Sequence, residues 1–294
     1  MICYPLNPPN IFKIYFSFIV LQLNNYIAGK YVPAIGATIH ENAGSTQVKI
    51  NFRGIAYGNG FTDPVNMLGF GEFLYGIGLL DRKGANYMTS IADEIIELIR
   101  SGHTGLATRV IDSLVFGIQA NETAFKTLTG FEFIYNYLYD KEPADIRDYK
   151  MFVVRPEIRR ALHVGERQFS TSRDIVFNHF LEETTRSSVP QLIVLLENGY
   201  QVLVYSGILD IAMPTTQTEQ FLSRMSWSRA SRWAHAPQKI WRSADGQKLL
   251  GYKKTVDNLN FVAVRNCGHM VPYDDPEAGF ELITSFIDRT PPFN

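Results

Sequence analysis

This chain of 294 residues has few cysteines, almost no net charge and no extended apolar stretch. Its two cysteines, Cys3 and Cys267, exclude a disulfide framework and a zinc site made of four cysteines. The 28 basic and 29 acidic residues nearly cancel, so a nucleic-acid surface or an anionic-membrane surface has no support. The histidines show no metal-ligand spacing, and no metal or other cofactor is predicted.

The most apolar segment runs from Ile11 to Leu23 and includes Lys13 and Gln22. A membrane-spanning helix takes about 20 apolar residues, so this segment is too short to be one. No basic residue precedes it and no small-residue cleavage site follows it, so a signal peptide is not convincing. Two interpretations stay open: a buried strand ending near Leu23, or a stretch that is not native to the fold.

Strand patterns recur along the chain. Because 46% of the residues are hydrophobic, the chain can bury the core of one main domain. Alternating or continuous apolar runs bounded by glycine are typical of strands, and Asp-Gly between two mixed runs predicts a hairpin. These patterns occur at Val48–Tyr57 before Gly58-Asn59-Gly60, at Val202–Tyr205, at NFVAVRNCG (260–268), and around Asp245-Gly246 within Lys239–Lys254.

Helical spacing predicts a block of helices between about Met67 and Val189, which includes the segment Glu122 to Tyr139. The block is too long for a simple crossover, so we expect an insertion that forms a lid or pocket wall. Further helices are predicted after Pro190 and over 276–287, the latter with Asp275 as its cap. Strands alternating with helices predict an α/β fold with a mostly parallel sheet.

Two candidate catalytic residues follow predicted strands. Asp210 comes shortly after VLVYSG, and His269 comes directly after NFVAVRNCG. Both are therefore expected at the carboxyl ends of strands, where α/β sheets place reactive groups. The order acid before histidine is also that of the triad in α/β hydrolases, in which a serine precedes both.

The residues around these two positions carry a family resemblance. YSGILDIAMPTTQTEQFL and VRNCGHMVPYDDPEAGFELITSFI resemble the acid and histidine motifs of the serine carboxypeptidases. AGKYVPAIGATIHENAG, KINFRGIAYGNGFTDPVNM and RPEIRRALHVG agree, and the resemblance covers about residues 27 to 290, most closely to vitellogenic and lysosomal-like members. It implies an α/β-hydrolase fold that releases the C-terminal residue from a peptide with a free C-terminus, without a cofactor.

The resemblance also implies roles for individual residues. His269 would act as general base and then as general acid, and Asp210 would hold its ring. Met270 would line the pocket for the leaving residue, and the backbone N–H of Ile27 would bind the oxyanion. The family usually has Gly-Asp-x-Asp here, with the second Asp as the catalytic acid, and Ile208 replaces the first Asp, which we expect to affect local order only.

The nucleophile motif departs from the family. Ala28-Gly29-Lys30-Tyr31 matches the second half of Gly-Glu-Ser-Tyr-Ala-Gly-Lys-Tyr, but Tyr26 stands at the serine, Asn25 at the glutamate and Asn24 at the glycine. The phenol oxygen lies farther from the backbone than a serine oxygen and has a pKa near 10, so Tyr26 is not expected to act. The chain is predicted to be inactive on its own.

The N-terminal region predicts an incomplete fold. The family's first strands and its glycine-rich oxyanion loop lie well before the serine, and only 23 residues precede position 24. We therefore interpret residues 1–24 as a segment that does not match the family. Residues 25–294 then form the C-terminal part of the domain in a truncated or misjoined sequence, with the helical insertion over about 67–189.

Other possibilities remain at this stage. The chain could be a non-catalytic binding protein, or an acyltransferase on the same fold. Asn121-Glu122-Thr123 fits the N-glycosylation pattern, which with the family habit suggests a secreted or lysosomal protein. Cys267 is predicted to be an inert core residue because reactive thiols need exposure.

Overall fold

A single mixed sheet organises the part of the chain that the structure describes. The computed structural model describes residues 18–19, 27–45, 50–288 and 293. Within them the strands are β1 (Phe18–Ile19), β2 (Gly54–Gly58), β3 (Gln201–Gly207), β4 (Lys239–Arg242), β5 (Leu249–Val256) and β6 (Leu259–Val264). Their order across the sheet is β1-β2-β3-β6-β5-β4.

The pairing confirms a mostly parallel sheet. β1, β2, β3 and β6 run parallel to one another, whereas β5 and β4 are added as an antiparallel hairpin. Gly246 lies in the hairpin turn with φ 73°, a left-handed conformation that glycine adopts at little cost. The strand predicted over Val48–Tyr57 is shorter in the structure and occupies Gly54–Gly58; positions 46–49 lie outside the described residues.

Helices cover the sheet and fill the region between β2 and β3. The α-helices are α1 (Ala28–Glu41), α2 (Phe70–Gly76), α3 (Arg82–Arg100), α4 (Thr104–Ile111), α5 (Ala124–Thr129), α6 (Asp148–Phe152), α7 (Pro156–Ala161), α8 (Asp174–Thr184), α9 (Val189–Glu197), α10 (Thr215–Arg224), α11 (Ala230–His235), α12 (Val271–Asp274) and α13 (Pro276–Asp288). The cap predicted for the last helix is present, because Ala278 N–H donates to Asp275 Oδ1 at 3.0 Å.

The helix predicted over Glu122 to Tyr139 is wrong beyond its first turns. α5 ends at Thr129, and Gly130 follows in the left-handed conformation at φ 75°. Its N–H donates to the carbonyl of Lys126, which closes the helix end. Residues 131–144 then continue without helix, and part of this stretch reaches the candidate active site.

The central strand β3 has a continuous apolar sequence because both of its faces are buried. Val202 and Val204 of β3 pack into the core beneath α1, α9 and the insertion helices. Leu203 and Tyr205 pack into a second core on the opposite face, which α13 closes with Leu282. Because side chains alternate across a strand, a strand buried on both faces has no polar positions to spare.

Candidate active site

Asp210 and His269 lie together at the carboxyl edge of the sheet. β3 and β6 are neighbouring parallel strands, and each residue follows the end of its strand. The Nδ1 of His269 lies 2.8 Å from Oδ2 of Asp210, within the distance expected from the sequence. Asp210 is fully buried and His269 is 8% exposed. The ring therefore donates Nδ1–H to a carboxylate that water does not reach.

Backbone packing brings the two loops close enough for this bond. A Cβ on Gly207 would lie 2.0 Å from the carbonyl oxygen of Gly268, so a larger residue does not fit at the end of β3. Leu209 N–H donates to the Cys267 carbonyl at 2.8 Å, which ties the acid loop to the histidine loop. Main-chain contacts thus hold the two loops close to each other.

A segment of the insertion holds both loops from the other side. Tyr135 stacks on the His269 ring with centroids 4.8 Å apart and planes 16° apart. The Tyr135 carbonyl accepts the His269 backbone N–H at 2.6 Å, and the Ile134 carbonyl accepts N–H groups of Ile211 and Ala212. The sequence interpretation missed this segment because it assigned these residues to a helix.

Asp274 supports the histidine loop from below. Its Oδ2 accepts the Gly268 N–H at 2.6 Å and the Asn136 amide at 3.3 Å. Burial raises the pKa of Asp274 above its ordinary value, and these two hydrogen bonds work against that rise. The sequence analysis did not single out Asp274, although it lies five residues after His269 in the quoted histidine motif.

Asn59 contacts the candidate acid directly. Its side-chain Nδ2 donates to Asp210 Oδ2 at 2.6 Å, and the residue is 2% exposed. It lies in the turn at the end of β2, which the sequence analysis recognised as a strand end and a family motif without assigning Asn59 a role. Oδ2 of the carboxylate therefore receives two hydrogen bonds, one from His269 and one from Asn59.

A cleft of about 280 Å³ opens between His269 and the helical insertion. Ile27, immediately before α1, and Phe180 on α8 both line it. Its charged lining comprises Lys150 and Arg173, together with Glu142, whose carboxylate lies 3.5 Å from Lys150. Among the described residues, no carboxylate lies within ion-pair distance of Arg173, so the cleft carries an uncompensated positive charge.

Comparisons with known proteins show the family of this chain. The family model described as serine carboxypeptidase matches residues 24–289. The chain belongs to the serine carboxypeptidase family. It is 38% identical to the venom serine carboxypeptidase of Apis mellifera, over 90% of this chain and 58% of that protein. It is also 38% identical to the human probable serine carboxypeptidase CPVL, over 88% of this chain and 55% of that protein.

A solved structure confirms the α/β-hydrolase fold of this serine carboxypeptidase family member. Kex1(Δ)p, a prohormone-processing carboxypeptidase from Saccharomyces cerevisiae, matches with a TM-score of 0.66 at 19% identity. The match covers 89% of this chain and 60% of Kex1(Δ)p. The chain spans 55% to 58% of the length of the two relatives named above.

The remaining family-implied positions are only partly visible. Ile27 lines the cleft immediately before α1. Met270 is 7% exposed and packs with Phe133 and Ile146, so its role in a pocket for the leaving residue stays a prediction. Tyr26 lies outside the described residues, and its expected position near His269 also stays a prediction.

Cys267 is poorly suited to replace the serine. It is fully buried, and burial raises the pKa of its thiol to about 12. A thiol needs to ionise before it can attack, so this cysteine is inert near neutral pH. Asn121 lies in an exposed turn before α5, where glycosylation stays a prediction.

Neither a metal cluster nor a membrane-spanning helix is found among the described residues. No cluster of three or more histidine, cysteine, aspartate or glutamate side chains in that part of the chain is arranged to hold a metal ion. None of its helices is long and apolar enough to cross a membrane.

Proposed function

We propose that Asp210 and His269 are the acid and base of a serine-type carboxypeptidase site, and that the intact fold removes C-terminal residues from peptides. The observation that carries this proposal is the buried 2.8 Å hydrogen bond between His269 and Asp210, with the imidazole also lining a cleft. A histidine held by a buried carboxylate at a strand end is the arrangement that α/β hydrolases use for acyl transfer.

The chemistry follows from which ring nitrogen remains free. Because Nδ1 of His269 donates to Asp210, Nε2 is the nitrogen available to a substrate. In the intact fold, Nε2 takes the serine proton as the serine oxygen attacks the scissile carbonyl, and then protonates the leaving amine. Water hydrolyses the resulting ester by the same route, with the Ile27 N–H supporting the oxyanion in each step.

The cleft suits a peptide that ends in a carboxylate. Phe116, Phe177 and Phe180 line it and offer apolar surface to side chains. Arg173 offers the positive charge that has no carboxylate partner among the described residues. A guanidinium binds a carboxylate through well-aligned charge-assisted hydrogen bonds, so we assign Arg173 to the recognition of a peptide carboxylate.

The chain with its present residues is proposed to be inactive. Tyr26 stands at the position of the nucleophile and Asn24 at the position of the glycine on which the strained turn depends. Triad members act as a unit, and losing the serine alone costs about a million-fold in turnover in a well-studied serine protease. The retained acid and base therefore have no nucleophile to activate.

Tyr26 also favours a second candidate function, a binding protein that uses the cleft without chemistry. The cleft and its cationic side chain do not depend on a serine. A secreted or lysosomal location, which the family resemblance suggests, would suit either function. The two candidates differ in whether catalysis returns when the missing groups are supplied.

Turnover of a blocked dipeptide at mildly acidic pH separates the two candidates. The unaltered chain and its Tyr26→Ser variant are expected to show no turnover above the uncatalysed rate. A chimera in which a complete family N-terminal half ending in Gly-Glu-Ser replaces residues 1–26 is expected to hydrolyse the dipeptide. Strong activity from the point variant, or none from a well-folded chimera, would overturn the proposal.

A further inference from the structure

The turn after β2 combines a strained backbone with a buried hydrogen bond to the candidate acid. Asn59 has φ 50°, a left-handed conformation that glycine adopts more cheaply than any other residue. Gly58 and Gly60 lie on either side of Asn59. Because asparagine costs more here than glycine would, its side chain is expected to supply something that the turn alone does not need.

The Asn59 side chain makes one of the two side-chain hydrogen bonds to Asp210. Oδ2 of Asp210 accepts from Asn59 Nδ2 at 2.6 Å and from His269 Nδ1 at 2.8 Å. Oδ1 of Asp210 and Oδ1 of Asn59 are buried, and neither has a hydrogen-bond partner among the described residues. Nδ2 is the Asn59 atom that faces Asp210, because an amide nitrogen donates hydrogen bonds and an amide oxygen only accepts them.

The turn that carries Asn59 is itself fixed at two points. A Cβ on Gly58 would lie 2.0 Å from the Tyr205 ring, and Asn59 N–H donates to the Tyr205 carbonyl at 2.9 Å. A Cβ on Gly60 would lie 2.6 Å from the backbone nitrogen of Gly29, in the first turn of α1. The turn thus contacts β3 on one side and the start of α1 on the other.

We propose that Asn59 is a positioning residue, whose amide fixes the rotamer of Asp210 and relates the acid–base pair to the first turn of α1. In the family motif, α1 directly follows the nucleophile, so this turn sets the distance between the two halves of the triad. The catalytic meaning rests on the proposed function. The contact and its effect on the His269 hydrogen bond do not, and can be tested without turnover.

The test observes the Nδ1 proton of His269 by NMR in the full chain labelled with ¹⁵N-histidine. The proton is assigned by its loss in His269→Gln. In the unaltered chain we expect a downfield resonance that exchanges slowly with water. In Asn59→Gly, which relaxes the backbone and removes only the amide, we expect exchange about tenfold faster or more, because hydrogen bonds to charged groups are the stronger ones.

The chain offers a matched control at Asn266. It lies three residues before His269 with φ 58°, and its side chain is exposed. Asn266→Gly relaxes the same backbone conformation without touching Asp210, so the exchange rate should stay within twofold of the unaltered chain. A second variant, Asn59→Leu, keeps about the size of the side chain but has no hydrogen-bond donor, and is expected to behave like Asn59→Gly.

The outcomes are distinct. Faster exchange in both Asn59 variants with no change in Asn266→Gly supports the proposal. An unaltered resonance and exchange rate in Asn59→Gly would overturn it, because the amide would then be dispensable. Equal acceleration in Asn59→Gly and Asn266→Gly would also overturn it, because the effect would come from backbone relaxation in general. If the chimera failed to hydrolyse the dipeptide while the NMR result held, the proposed function would be contradicted and the positioning role of Asn59 would stand.

Discussion

The sheet edge that carries Asp210 and His269 and the helical insertion above it are held together in different ways. At the edge, main-chain atoms meet so closely that an added Cβ on Gly207 or Gly268 would lie 2.0 Å from a carbonyl oxygen. In the insertion, large apolar side chains face solvent, including Ile175 at 64% and Met151 at 71% exposure. The acid–base pair is therefore placed by backbone, whereas the outer wall of the cleft is placed by side chains that have room to adjust.

The largest expected loss of stability comes from adding one methyl group at the sheet edge. Gly268→Ala would place a Cβ 2.0 Å from the Tyr135 carbonyl, so the histidine loop and residues 134–137 have to separate. We expect a loss of about 3 kcal/mol or more in the free energy of unfolding, as for other severe core changes. Urea unfolding followed by circular dichroism measures it.

The matched change in the insertion is Gly105→Ala in α4. The nearest atom to its added Cβ would be 3.8 Å away on Leu181, so nothing has to move. Alanine is the better helix former by about 1 kcal/mol, and we expect a neutral or stabilising effect. Equal losses from Gly105→Ala and Gly268→Ala would refute the contrast between the two regions.

Asp274 gives an intermediate effect with a pH signature. Asp274→Ala leaves the buried Gly268 N–H without its acceptor, which costs about 1 to 3 kcal/mol. Burial raises the pKa of Asp274, so the folded state holds its proton to higher pH than the unfolded state does. This carboxyl therefore lowers stability as the pH rises from its ordinary pKa through the raised one.

Asp274→Asn isolates that pH dependence, because asparagine still offers an acceptor to Gly268 but does not titrate. The difference in unfolding free energy between Asp274→Asn and the unaltered chain should shift in favour of the variant as the pH rises over this window. Asp148→Asn, a change of an exposed residue in the insertion, serves as the control. A pH-independent difference for Asp274→Asn would contradict the assigned cause.

The sheet edge and the insertion also show how much could be predicted from the sequence. The strands β3 and β6 and the helix α13 were predictable because each depends on a continuous local pattern, and the pair Asp210–His269 was predictable because family motifs surround both residues. Asn59 and Tyr135 were not, because each acts through a contact far along the chain, Asn59 with Asp210 151 residues away. The helix expected over 122–139 failed because one left-handed glycine, Gly130, ends it where the apolar spacing continues.

Lys30 tests the junction between the two regions. It lies on α1, and its ammonium donates to the Arg186 carbonyl in the loop after α8. Burial lowers the pKa of Lys30 to about 7, partly offset by Asp63 and Glu183. Between pH 7 and its ordinary pKa of 10.5 the unfolded state holds more of this proton, so the group makes stability rise with pH there.

Lys30→Met should remove that rise, which is at most about 1.4 kcal/mol per pH unit and smaller because the side chain keeps some contact with water. Lys83→Met, at an exposed position on α3, should leave the rise in place. The comparison uses urea unfolding at pH 7, 8 and 9. An unchanged slope in Lys30→Met would show that Lys30 is solvated in the folded state.

The smallest expected effect concerns the adjustable wall. Arg173→Glu should weaken binding of a peptide with a free C-terminal carboxylate by about fivefold, the scale of an exposed ion pair, and leave the amidated peptide less affected. A second peptide pair, free and amidated, carries an acidic residue next to its C-terminus. It should show whether Arg173 binds the terminal carboxylate or a side-chain carboxylate. Isothermal titration calorimetry measures the affinities, with Arg167→Glu as control, because Arg167 does not line the cleft. Equal losses in both variants would contradict a specific role for Arg173.

The proposed function depends most on Asp210 and His269 acting as acid and base. Its most direct test is turnover of the blocked dipeptide by the chimera that carries a family N-terminal half, with and without substitutions in the pair. We predict that His269→Ala and Asp210→Asn each lower turnover by about 10⁴-fold or more while the fold, judged by circular dichroism, is kept. Turnover that survives either substitution within tenfold would contradict the assignment.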